Sequence, residues 1–122
     1  MRIVAIVQAR MGSNRLPGKV LKPIVGKYAI ELLLTRLSKS KELDEIIVAT
    51  SKLSKDDKLK NLVNSLGFDC TRGSEEDVLN RYYQSARTSN ADIIVRITGD
   101  CPLIDANLVD EAIQEYIKAN VD

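Results

Sequence analysis

Apolar and polar positions alternate between two periods along this chain. Ile3 to Val7 is an unbroken apolar run rich in β-branched residues, as expected of a strand buried on both faces. Ile30, Leu33, Leu34 and Leu37 then recur at helical spacing within Tyr28 to Lys39, and Glu45 to Thr50 returns to a strand-like run. Asp56 and Asp57 favour a helix start, with Leu59, Leu62, Val63 and Leu66 as its buried face and Gly67 suited to the left-handed residue that ends it.

A short strand is predicted at Phe68 to Thr71. Ser74, with Asp77 three residues on, resembles a capping box that opens a helix burying Val78, Leu79, Tyr82 and Ala86. Ile93 to Ile97 gives another strand. Asp105 or Asn107 caps a final helix whose apolar positions are Leu108, Val109, Ala112, Ile113 and Ile117. Strands separated by helices of this length predict an α/β fold: a mostly parallel sheet flanked by helices in three α/β/α layers, with right-handed crossovers. Ligands of such sheets bind beyond the C-terminal ends of the strands. Two unusual segments fall there: the long connection from Met11 to Gly26 and the turn after Ile97.

Composition narrows the partners. The 122 residues fit one domain, 1–122, and a formal net charge of +1 gives no general attraction to nucleic acid or an anionic membrane. No apolar stretch approaches about 20 residues and the start lacks a signal peptide, so a cytoplasmic protein is expected. Cys70 and Cys101 lack metal-ligand spacing and read as small buried thiols.

Any anion site must therefore be local, and QARMGSNRLPGK (residues 8–19) is the candidate. It sets Arg10, Arg15 and Lys19 among Gly12, Ser13 and Gly18 directly after a strand. Glycine lets backbone N–H groups approach phosphate oxygens, arginine offers a planar fork, and lysine a compact charge. The competing reading is a solvated basic loop. A Walker loop is excluded, because five residues separate Gly12 from Gly18 and Val20 follows Lys19; the dinucleotide fingerprint is absent too. Asp100, after Gly99, either forms a turn or offers a carboxylate to magnesium. Arg72 and Arg81 either pair with Glu75, Glu76 or Asp77 or contact a ligand. Tyr82 and Tyr83 read as aromatics of an amphipathic helix.

Three ordered segments carry a resemblance: IVAIVQARMGSNRLPGKVLKPIVGK, RGSEEDVLNRY and RITGDCPLID. Together they resemble the cytidylyltransferases that make CMP-activated acidic sugars, the SpsF-type spore-coat polysaccharide proteins being the nearest. The resemblance implies a Rossmann-like, GT-A-like nucleotidyltransferase fold. It implies nucleotide contacts from Ala9, Arg10, Gly12, Ser13, Arg15, Lys19, Arg72 and Thr98, with Lys19 and Arg15 as the catalytic cations. It also implies Mg2+ on Asp100, and CTP and a sugar as substrates, without nucleic acid or membrane. Complete relatives are about twice as long, so this chain is expected to be a truncated or N-terminal portion; a homodimer is left open. Two alternatives stay open: a non-catalytic nucleotide-binding domain, and a nucleotidyltransferase that uses another nucleoside triphosphate with a sugar phosphate.

Overall fold

The computed structural model of the protein describes residues 1–9, 23–24, 27–73, 78–99 and 104–119. The elements are β1 (Ile3–Gln8), β2 (Pro23–Ile24), β3 (Lys27–Tyr28), α1 (Ala29–Leu37), β4 (Glu45–Ser51), a 3-10 turn (Ser54–Asp56), α2 (Asp57–Ser65), β5 (Asp69–Gly73), α3 (Val78–Ser89), β6 (Ile93–Thr98) and α4 (Ala106–Ala119). Four strands form one parallel sheet in the order β5-β4-β1-β6. This is the parallel, helix-flanked α/β arrangement that the alternation of periods predicts.

The chain steps outward from β1 to β4 to β5 and then returns to lay β6 on the other side of β1. The direction of winding thus reverses between β1 and β6. Beyond the C-terminal ends of two strands so related, the loops part and leave a crevice.

Helices cover both faces, which is why β1 is buried from Ile3 to Val7 rather than alternating. On one face Ala5, Val7, Ala9, Val48 and Ile97 pack against Ile30, Leu33 and Leu34 of α1, Leu59 and Val63 of α2, and Val109 and Ile113 of α4. On the other, Val4, Ile6, Ile47 and Ala49 meet Tyr82 of α3. Gly67 ends the second helix with φ +90°, as its position predicts.

Four expectations need correction. The connection from Met11 to Gly26 carries a two-residue strand, β2, which pairs antiparallel with β3 just beyond it; segments this short leave no periodic signal. The third sheet strand runs from Asp69 to Gly73 instead of starting at Phe68, because its register is set by pairing with Ile47–Ser51. On α3 the inward positions are Arg81, Tyr82, Ser85 and Ser89, while Leu79 is 72% exposed. The strand ends beneath α3 are polar enough to accept this face: Thr71 Oγ1 hydrogen-bonds Ser85 Oγ. On α4 only Val109, Asp110 and Ile113 are buried; Leu108, Ala112 and Ile117 are exposed. The helix lies beside β6, the last strand of the described sheet. Its outer flank lines an apolar groove of about 640 Å³ with Ile94, Leu108, Ala112 and Tyr116.

Cys70 is partly buried, and burial pushes its thiol up to about 11, consistent with an unreactive packed thiol. No helix among the described residues is long and apolar enough to cross a membrane.

Candidate functional site

At the winding reversal, β1 ends at Gln8 and β6 at Thr98, and these two residues are register partners. The Gly99 amide donates to the Gln8 carbonyl at 2.7 Å, and the Ala9 amide donates to the Ala49 carbonyl of β4 at 3.0 Å. Two of the segments singled out in the sequence, one opening at Gln8 and one running through Gly99, are thereby tied together. The fit is close. A Cβ on residue 99 would lie 2.8 Å from the Ala9 Cβ and 3.0 Å from the Gln8 oxygen, so glycine is required by proximity.

Ala9 is buried at this junction and the Thr98 side chain is exposed beside it. The remaining residues of the basic loop, Arg10, Gly12, Ser13, Arg15 and Lys19, lie outside the described residues, as does Asp100. Their place in the chain is nonetheless set. Arg10 follows Ala9, and Asp100 follows Gly99, across a junction whose two backbones touch. Among the described residues no group of three or more His, Cys, Asp or Glu side chains is arranged to hold a metal.

Arg72 stands apart from Ala9 and Thr98. It lies near the end of β5, two strands from β1, where its Nε donates to the Ser51 carbonyl at 2.7 Å and its Nη2 to the Leu53 carbonyl at 2.8 Å. Its Nη1 pairs with Asp57 Oδ1 at 2.8 Å. The guanidinium thus braces the connection between β4 and α2, aided by the buried Asp56, which accepts from Ser51 Oγ.

Two arginines outside the nucleotide-contact set, Arg81 and Arg96, stand at its wall. Arg81, only 2% exposed, passes under Gly73, where a Cβ would meet its Cγ at 2.9 Å. Its Nε and Nη2 are directed at the Gln8 side-chain amide, and since a guanidinium only donates, the amide oxygen is assigned to that side. The available signal was an amide closing an otherwise apolar strand and an arginine next to an inward tyrosine; nothing in the sequence linked them. Arg96 of β6 lies over the Tyr82 ring, 4.3 Å from its centroid, fastening α3 to the same wall.

Known proteins give the geometry a family context. A family model described as cytidylyltransferase matches residues 4–122. The spore coat polysaccharide biosynthesis protein SpsF of Bacillus subtilis is 40% identical over 124 residues, covering 98% of this chain and 52% of its own. A cytidylyltransferase structure from Leptospira borgpetersenii superposes with a TM-score of 0.95 at 39% identity, over 99% of this chain and 51% of that one. The structure of CMP:2-keto-3-deoxy-manno-octonic acid synthetase complexed with CTP superposes with a TM-score of 0.86 at 29% identity, over 97% and 48%. The chain spans about half the length of the curated relatives it matches.

Proposed function

Since the chain belongs to the cytidylyltransferase family, we propose that the crevice outside β1 and β6 binds CTP and serves transfer of its CMP group to a sugar hydroxyl, with release of pyrophosphate. The observation that carries the reading is the junction of Gln8 and Ala9 with Thr98 and Gly99. It brings the start of a basic, glycine-containing loop beside the start of a Gly-Asp turn, at the position where open α/β sheets take their ligands.

In this reading Arg10, Arg15 and Lys19 hold the triphosphate, helped by backbone N–H groups at Gly12 and Ser13. Ala9 meets the nucleoside through its backbone, with Thr98 alongside. The sugar hydroxyl attacks the α-phosphorus, the bond to the β-phosphate oxygen breaks, and pyrophosphate leaves with that electron pair. Catalysis rests on positioning and on fixed positive charge, Lys19 and Arg15 countering the charge that develops on the leaving group. With no histidine in the chain, the hydroxyl proton passes to a carboxylate or to solvent.

Asp100 is the residue that would hold a magnesium ion, a cation that needs few protein carboxylates. When bound, that ion would neutralise phosphate charge. The nucleotide acceptor is assigned to the acidic sugars named for the synthetase relative, in the service of surface polysaccharide synthesis as named for SpsF. Arg72 enters as a brace of the site's outer wall.

Because the chain spans about half of its relatives, binding and turnover are assayed separately. The expected result is that CTP with magnesium raises the melting temperature and that Lys19→Ala or Arg15→Ala removes most of the rise. Pyrophosphate release with CTP and 2-keto-3-deoxy sugars reports turnover. Binding without release supports a nucleotide-binding domain whose turnover needs further residues. If no nucleotide shifts the melt at millimolar concentration, the binding assignment is wrong.

A further inference from the structure

The Gln8–Arg81 contact carries a consequence for base selection, which rests on the CTP reading above. A glutamine amide is two-sided: its oxygen accepts, its NH2 donates, and a free side chain can turn either end to a ligand. Arginine has only donors. With Nε and Nη2 of buried Arg81 both directed at the Gln8 side chain, the end that faces them is the oxygen. The opposite end of the amide is then the NH2, a donor. Arg81 is itself held in place, threaded beneath Gly73 and on the inward face of α3 beside Tyr82.

Gln8 is half-buried at the end of β1, in register with Thr98 and one residue before Ala9. We infer that Gln8 is a specificity-determining residue that reads the nucleobase as a hydrogen-bond donor, and that Arg81 is the positioning residue that fixes its amide in that sense. Cytosine presents an acceptor at N3, which matches the Gln8 donor; O2 accepts in both pyrimidines, so the discrimination falls on N3. Uracil presents N3–H, which meets the NH2 donor to donor. The pair therefore selects cytosine by denying Gln8 the rotation that would let it serve either base.

The test compares CTP and UTP affinities by calorimetry, with magnesium, for the wild-type chain and variants. Gln8→Glu is isosteric and keeps an acceptor for Arg81, but replaces the remaining donor with an acceptor. Its CTP-to-UTP preference should fall by about tenfold or more. Arg81→Met frees the amide to turn, so preference should fall toward equality while UTP affinity is retained; Arg81→Lys, which keeps a donor, should restore part of it. Circular dichroism checks that each variant is folded, and should Arg81→Met fail to fold, Gln8→Glu decides alone. An unchanged preference in Gln8→Glu overturns the inference. Equal binding of CTP and UTP by the wild type overturns it too, while leaving the nucleotide site standing. Failure of the wild type to bind either nucleotide instead sinks the functional reading on which it rests.

Discussion

Replacing Gly99 with valine should lower CTP affinity by about a hundredfold or more and destabilise the fold by about 1–3 kcal/mol. The cause is steric. A Cβ at residue 99 would sit 2.8 Å from the Ala9 Cβ and 3.0 Å from the Gln8 carbonyl oxygen, the same oxygen that accepts from the Gly99 amide at 2.7 Å. These neighbours lie at the end of β1, so β1 and β6 must separate or the backbone at Gly99 must move. Either response disturbs the junction that ties Gln8 and Ala9 to Gly99. Gly67→Ala provides the contrast. That glycine has φ +90° and open space around it, no atom lying within 4 Å of the position a Cβ would take, so alanine costs about 1 kcal/mol through backbone strain alone. It should leave CTP affinity unchanged. Calorimetric affinity and thermal melts on both variants separate a crowded junction from a generally weakened fold; equal CTP affinity for Gly99→Val and wild type would rule the junction out of the site.

The largest effect on stability alone should come from Asp110→Ala, about 2–4 kcal/mol, or a melting temperature lower by on the order of 10 °C. Asp110 is buried on α4 and accepts from the Lys41 amide at 2.9 Å, the Glu42 amide at 3.2 Å and the Ser40 hydroxyl. It thus fixes the connection between α1 and β4, and alanine would leave those amides without their partner. Burial works against its charged form, but the hydrogen bonds from Lys41, Ser40 and Glu42 outweigh it and hold the carboxyl below its usual range. A depressed carboxyl contributes stability that is full above the unfolded-state value of about 4 and is lost as pH falls through the lower folded value. Wild-type stability should therefore drop more steeply than that of Asp110→Asn as pH is lowered below about 4. Parallel pH profiles for the two proteins would contradict the assignment.

Much of the architecture was legible because burial on two faces leaves a plain mark. Ile3–Val7 and the run from Ile46 to Ala49 are apolar stretches that a covered parallel sheet explains, whereas β6 alternates between partly buried and exposed positions. Helix phase was less legible where the buried face is polar. Arg81 and Ser85 face inward on α3 because Gln8 and Thr71 wait for them, and Leu79 is turned out; only tertiary contact reveals those partners. Leu108 and Ile117 misled for a different reason, since apolar spacing marks a face able to pack without saying which neighbour is present. At the site, the approach of Ala9 to Thr98 and Gly99 follows from the strand order β1-β6, which the sequence implied only through its turns. Arg72 shows the converse. Its guanidinium nitrogens go to Ser51, Leu53 and Asp57, partners that local sequence cannot identify.

The central claim is that CTP occupies the crevice outside β1 and β6, and amide chemical shifts of the isotopically labelled chain, followed as CTP and magnesium are added, test it most directly. Saturating shifts centred on Gln8, Ala9, Thr98 and Gly99 are expected, with little change along α2. Shifts confined to the groove between β6 and α4, or none at millimolar CTP, would contradict it.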